Sequence, residues 1–484
     1  MKKYKNRSIK SLVLLTALAL SVVSCTKDFQ KLNTNPNTSE FALPQTLLAP
    51  AITSVVSANM SRSQRINNEF MQVTVDMGDT EGKLFRYDVR TAEADYLWNS
   101  WYIQLSNFND IYKGGEDNLS NTYMGVSLIC QAWIFSMLSD TYGDVPYTQA
   151  NKAKEGVYTP AFDQQKDIYP DLMLKLEKAN ELLKTGAKVP SSSDPVYGGD
   201  YQKWRKFGNS LYLRLLLRVS GKAEAGASAK IKEIVDTKAA NYPVMTGNDD
   251  SAILRWTGVA PYVSPFATWR PGDWYGPKLG SFFVDNLNER SDPRIQKWAT
   301  LYQGEYAGIP SGYVPGQTPV GKSSFPTQLQ IEPLLGNIMN YAELQLILAE
   351  AAAKGWISSK PAKTYYEAGV SSDITLWGYT VPNNYFTFDK VKWDDAYTLD
   401  QKMELIHLQK YYALFFTDLQ QWFEYRRTGH PVLPKGDGLQ NNKMMPARLN
   451  YPVYVQSANG QNYRAAVAIQ GTDNINTLVW WQRP

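Results

Sequence analysis

Across residues 405–422 the apolar side chains Leu405, Leu408, Tyr412, Phe415, Leu419 and Trp422 recur three or four positions apart. An α-helix gathers that spacing on one face, so the stretch predicts one long helix, ended by Gly429 and Pro431. The pattern repeats along the chain. Leu97, Trp101, Leu105, Phe108 and Tyr112 form a stripe that Gly114 and Gly115 would end. Residues 124–138 are apolar nearly throughout and predict a buried helix, punctuated by Gly143 and Pro146. After Asp163, an expected N-cap, come Ile168, Leu172, Leu176, Ala179 and Leu183, closed by Gly186. Trp204, Phe207, Leu211, Leu215 and Val219 make the next stripe, closed by Gly221. Later, Leu344, Ile347, Leu348 and Ala351 line a helix, and Pro361 opens its partner. Helix pairs of this kind bury their faces only against neighbours, as in tetratricopeptide arrays, although no strict repeat consensus is present. The expected fold is therefore mainly α, an irregular array of tetratricopeptide-like helix pairs.

Between the helical parts the texture changes. Residues 241–336 hold 11 of the 32 glycines and 11 of the 26 prolines, yet keep Trp256, Trp269, Trp274 and Trp298. Loops longer than about 15 residues are uncommon in compact domains, and an aromatic-rich one is not disordered by composition. The expected division is a leader at 1–24, an N-terminal helical part at 25–240, a loop-rich ligand-binding insert at 241–336, a second helical part at 337–440 and an extended segment at 441–484.

The first 24 residues carry their own signal. Lys2, Lys3, Lys5, Arg7 and Lys10 precede an apolar run at 12–23 that only Thr16 and Ser21 interrupt, and Cys25 follows at once. This is the layout of a secretory signal, too short for a membrane-spanning helix. Cleavage before Cys25 would expose a cysteine for acylation; ordinary secretion with Cys25 incidental is the alternative. Without those five cations, the whole-chain charge of +4 becomes 45 basic against 46 acidic residues. No basic patch suited to nucleic acid is visible. Cys130 would be the one remaining cysteine, which excludes an internal disulfide and suits a small buried hydrophobe.

A search for reaction chemistry finds little. The only histidines, His407 and His430, do not form a metal-spaced cluster, and no cofactor or catalytic-metal motif stands in a suitable context. A paired-carboxylate glycosidase site, drawn from Asp140, Asp144 and Asp273, stays open because such pairs are set by three-dimensional spacing. The sharpest polar-aromatic stretch is "SPFATWRPGDWYGPK" in the insert. Tyr and Trp, 45 of the 62 aromatic residues, offer flat faces for sugar rings, and a guanidinium and a carboxylate can hydrogen-bond hydroxyl groups. The candidate ligand-binding residues are Trp269, Arg270, Asp273, Trp274 and Tyr275, with Tyr262 and Tyr313 from the same insert. The competing reading is that Trp269 and Trp274 plug a satellite core, in which case the site moves toward Arg86 and Tyr87.

Five fragments in order, "CTKDFQKLNTNPN", "SDTYGDVPYTQA", "YGGDYQKWRKFGNSLYLRLLLR", "YAELQLILAEAAAKGW" and "QKYYALFFTDLQQWFEYRRTGHPVLP", resemble SusD/RagB outer-membrane lipoproteins of Bacteroidota. The resemblance covers essentially the whole mature chain. It implies a surface lipoprotein anchored through Cys25, with Lys27 and Asp28 similar to the charged export signal. It also implies a SusC-like TonB-dependent transporter as partner, capture of glycan or, in some members, peptide, and no chemical step. A helical glycoside hydrolase or polysaccharide lyase is the rival from another class. Arg426 and Arg427 in "WFEYRRTG" fit structural pairing at a helix C-terminus better than an anion clamp.

Overall fold

The apolar stripes become helices, and their buried faces meet in one continuous core. A computed structural model of the chain describes residues 42–484; the leader and Cys25 lie outside the described residues. The helices are α1 (Pro44–Arg62), α2 (Asp95–Asp117), α3 (Asn121–Tyr142), α4 (Gln165–Lys184), α5 (Tyr201–Arg218), α6 (Ser281–Asn288), α7 (Tyr341–Ala353), α8 (Ala362–Leu376), α9 (Leu399–Ala413), α10 (Gln420–Thr428) and α11 (Gly460–Gln470). The helices α2 with α3, α4 with α5 and α7 with α8 pack as neighbouring pairs. Helix α3 is long and apolar enough to cross a membrane, but its sides are enclosed by protein, and Cys130 is buried within it. Asp200 caps α5 by accepting from the Gln202 and Lys203 N–H groups.

Several sequence expectations are corrected. Helix α2 runs through Gly114 and Gly115 to Asp117. These glycines serve close packing: a Cβ on Gly115 would lie 2.9 Å from the Met124 side chain, and one on Gly114 2.8 Å from the Pro44 ring. Asp163 does not cap α4, whose N-cap is Gln164; its carboxylate instead takes the Tyr147 and Thr148 N–H groups. The long stripe at 405–422 is split into α9 and α10. Between them Phe416 and Asp418 adopt left-handed φ values of 56° and 47°. Asp418 is held there by Trp133 Nε1–H at 2.8 Å and Asn59 Nδ2–H at 2.6 Å, contacts no local pattern announces. All six stripe residues are still buried, because the turn keeps the chain inside the core.

The insert is not helix-free, since it carries Pro271–Tyr275, α6 and Ile295–Trp298. The segment 441–484 is not simply extended either. It contains Val453–Ala458 and α11, which bury so few residues (Val455, Ala466 and Gln470) that no apolar stripe betrays them. Two short antiparallel ladders fasten the insert to the helical parts. Strand β1 (Thr74–Val75) pairs with β3 (Lys278–Leu279), and β2 (Ala252–Ile253) with β4 (Asn337–Met339).

Candidate functional site

The β1–β3 ladder decides where the site lies. It sets Thr74 opposite Leu279 and so brings residues just after β1 against the turn just before β3. The approach is tight: a Cβ on Gly280 would lie 2.1 Å from the Gln72 carbonyl oxygen, so only glycine fits. Between these segments opens a cavity of about 520 Å³. One wall comes from the end of α1 and the turn beyond it, with Arg62, Arg65, Glu69 and Asp76. The facing wall is Trp269, Asp273 and the backbone around Gly272 and Gly276, and Tyr96 at the start of α2 completes the rim.

The first wall owes its shape to a π turn at Ser63–Asn67, which interrupts the regular helix directly after α1. Such bulges redirect side chains and are frequent at functional sites. Here Arg65 is exposed and bonded to Glu93 at 2.5 Å. Arg62 lies with its guanidinium 4.3 Å from the Tyr96 ring centroid and 3.9 Å from the same Glu93. Asp76 is held by Lys83 at 2.7 Å. Glu69 is nearly buried, and burial together with Asp76 pushes its carboxyl up to about 8.

The sequence candidates divide by depth. Trp269 is half-buried and faces the cavity, propped edge-on against Phe266 at 4.9 Å; Asp273 is exposed on the same lining. Trp274 is fully buried. Its indole N–H donates to the Pro326 carbonyl at 3.1 Å, and its ring packs on Phe266 and Phe325 at 5.1 and 5.4 Å. No face is left to stack on a ligand, so Trp274 is the floor beneath Trp269. Tyr275 is half-buried and bonds Thr327 through its hydroxyl, while Arg270 is exposed outside the lining.

Tyr262 and Tyr313 do not reach the cavity. Tyr262 closes a tight turn with Val259. Tyr313 stacks on Phe85 at 4.9 Å under the Arg86 guanidinium, and its hydroxyl donates to the Asp76 carbonyl at 3.1 Å, which positions Asp76 from behind. At the alternative location, Arg86 and Tyr87 are both buried, Arg86 bonding the Tyr313 carbonyl and Asp79.

Of the carboxylates considered for reaction chemistry, Asp273 lines the cavity, whereas Asp140 and Asp144, like the two histidines, lie elsewhere. Asp140 is buried and accepts from Tyr169 and Trp481; Asp144 is buried and accepts from the Gln165 N–H. Neither lines the cavity with Asp273. Glu350, His407 and Glu424 bring potential metal-ligand atoms together, but Arg427, Lys410 and Arg218 already neutralise the two carboxylates. Burial lowers the His407 imidazole, whereas a hydrogen bond to the Glu404 carboxylate raises His430. Arg426 bonds the backbone carbonyls of Asp140 and Ala447 and Arg427 pairs with Glu350 and Glu424, so both act within the packing.

Sequence reasoning missed Arg62, Arg65, Glu69, Asp76 and Tyr96. A helix end followed by a polar stretch with an early aromatic was the only signal available, and nothing local tied it to the insert.

A family model described as starch-binding and associating with the outer membrane matches residues 36–452. No curated protein sequence matches the chain. Among solved structures, a SusD homologue from Bacteroides fragilis is 25% identical, with a TM-score of 0.78 over 91% of this chain and 99% of that one. One described as a chitin-binding protein is 26% identical, with a TM-score of 0.76 over 91% and 99%. A chitin-binding SusD homologue from Flavobacterium johnsoniae, at 22% identity, shares the fold with a TM-score of 0.79 over 91% and 98%. With its mainly helical architecture, its ladder-fastened insert and this match over most of its length, the chain belongs to the SusD-like family.

Proposed function

We propose that this protein captures glycan in the cleft between α1 and the insert and delivers it, without chemical change, to a SusC-like TonB-dependent transporter. The observation that carries this reading is the cleft lining. Two aromatic rings, the half-buried Trp269 and the exposed Tyr96 with Arg62 over one face, line it beside Arg62, Arg65, Asp76 and Asp273. Flat rings stack on the apolar faces of sugars while charged side chains hydrogen-bond hydroxyl groups. The 26% identical chitin-binding structure makes N-acetylated oligosaccharides the first ligands to try, with malto-oligosaccharides second on the family description.

Isothermal titration of the protein with chitohexaose and maltoheptaose tests the reading. Binding of neither, or appearance of new reducing ends during incubation, overturns it. Trp269→Ala is expected to weaken binding by about 1–3 kcal/mol, by analogy with base–aromatic stacking, or roughly five- to 150-fold. Its unfolding midpoint should change little, because the ring is half-exposed. An unchanged Kd would remove Trp269 from the site.

The anchor assigned to Cys25 predicts a fractionation result. Several acyl chains hold a protein stably on a membrane, whereas one gives marginal binding. Cys25→Ala should therefore leave the outer-membrane fraction or accumulate unprocessed. Full retention after washing, in a strain lacking the partner transporter, would refute the anchor. Tethering raises the local concentration of captured ligand at the transporter, so delivery does not demand tight binding.

A further inference from the structure

Glu69 occupies an unusual place in the cleft. It lies in the helical turn Asn68–Phe70 after the π turn, is 8% exposed and lines the cavity. One carboxyl oxygen, Oε2, accepts from the Phe85 N–H at 3.0 Å. Among the described residues none donates to the other oxygen, and none forms an ion pair with Glu69. The cations nearby are engaged elsewhere: Arg65 and Arg62 with Glu93, and Lys83 with Asp76. Asp76 faces Glu69 with the same sign, and Asp273 stands on the opposite wall. Three cations, Arg62, Arg65 and Lys83, thus balance three carboxylates, Glu93, Asp76 and Asp273. With Glu69 protonated the cleft is neutral overall, which suits an uncharged ligand.

We propose that Glu69 is a specificity-determining residue of this cleft, acting as a neutral carboxylic acid that donates its O–H to an uncharged acceptor oxygen of the sugar, an acetamido carbonyl or a hydroxyl. This rests on the cleft being the glycan site proposed above. A carboxyl group buried without a cation costs less as the acid than as the carboxylate, and Asp76 adds to that preference. Its titration near 8 keeps the donor present through neutral pH and removes it above. An acid with one oxygen tied to the backbone has its remaining hydrogen-bonding capacity directed at whatever fills the cavity.

Titrations with chitohexaose and maltoheptaose between pH 6.5 and 9 test this, with Trp269→Ala as the control that reports the cleft itself. Wild-type affinity should fall about tenfold from pH 7 to pH 9, as one group deprotonates. Glu69→Gln, which keeps a donor but cannot titrate, should lose that pH dependence. Glu69→Ala should bind about tenfold more weakly at pH 7, the loss expected for one hydrogen bond. Carbon-13 NMR of glutamate-labelled protein gives a readout without ligand: a carboxyl resonance absent from Glu69→Gln should titrate near pH 8. If Trp269→Ala abolishes binding while wild-type affinity is flat to pH 9, or Glu69→Ala binds like wild type, the role of Glu69 is wrong and the cleft stands. A Glu69 resonance already ionised at pH 7 overturns it equally. If wild type binds neither oligosaccharide, the glycan reading fails and the role of Glu69 falls with it.

Discussion

Replacing Arg427 by methionine is expected to remove about 3–5 kcal/mol of folding stability at pH 7, the range for breaking a buried ion pair from one side. Arg427 lies on α10 and reaches two carboxylates at once. Its two terminal nitrogens meet Glu350 on α7 at 2.8 and 2.7 Å, and one of them meets Glu424 at 2.8 Å. Glu350 is fully buried, with Lys354 at 2.6 Å and His407 Nε2 at 3.2 Å as its other neighbours. Glu424 is also held by Lys410 from α9 and Arg218 from α5, at 2.8 and 3.2 Å. The cluster therefore joins α5 and α7 to α9 and α10, of which only the last two are linked by a short turn.

Burial alone would raise both carboxyls, but Arg427 outweighs it, with His407 at Glu350 and Lys410 at Glu424, and holds each well below the usual range. The sign of the pH effect follows. A depressed folded-state carboxyl contributes stability that is present above its unfolded value near 4.5 and lost as pH falls through the folded value. Without Arg427 the two carboxyls titrate higher, and the variant is relieved as they protonate. The gap between wild type and variant should therefore be largest near neutrality and shrink below about pH 4.5. Urea unfolding at pH 7 and pH 4 measures it. A loss under 1 kcal/mol at pH 7, or a gap that does not narrow in acid, would show that the cluster is not the link between these helices.

Trp274→Ala should produce a loss of similar size, about 3–5 kcal/mol, but by a different route. The indole is fully buried among Phe266, Phe325 and the edge of Trp269, and its N–H is satisfied by the Pro326 carbonyl. Truncation leaves a cavity under the insert and an unpaired carbonyl, and neither depends on pH. Glycan affinity should weaken too, because Trp269 loses the ring that props it. The pair of variants separates the roles: Trp269→Ala loses affinity at nearly constant stability, and Trp274→Ala loses stability first. If Trp274→Ala unfolds at the wild-type urea midpoint, the ring is not part of the core.

The two tryptophans also show where sequence reasoning stopped. Both flank the same Pro–Gly turn, and both are large amphipathic rings suited to a binding surface or to a core. Depth is set by what packs from elsewhere, here Phe325 and Pro326 some fifty positions later, so adjacency could not rank them. Arg426 and Arg427 were easier. A helix C-terminus favours cations, and the cluster found there fits that reading.

The sequence by itself determined the helices α2 to α5, α7 and α8 and the faces they bury. Leu97 with Trp101 and Leu105, Ile168 with Leu172 and Leu176, and Leu344 with Ile347 and Leu348 are all buried as their spacing requires. A helical face is a local property of 3.6-residue periodicity, and neighbours along the chain suffice to define it. Only the tertiary structure decided the break between α9 and α10. Trp133 and Asn59 hold Asp418 from distant helices and stabilise a left-handed turn that the apolar stripe does not reveal. Only the tertiary structure assembled the cleft as well. Arg62, Glu69 and Asp76 meet Trp269 and Asp273 because β1 pairs with β3, and two-residue strands so far apart carry no periodicity of their own to announce the pairing.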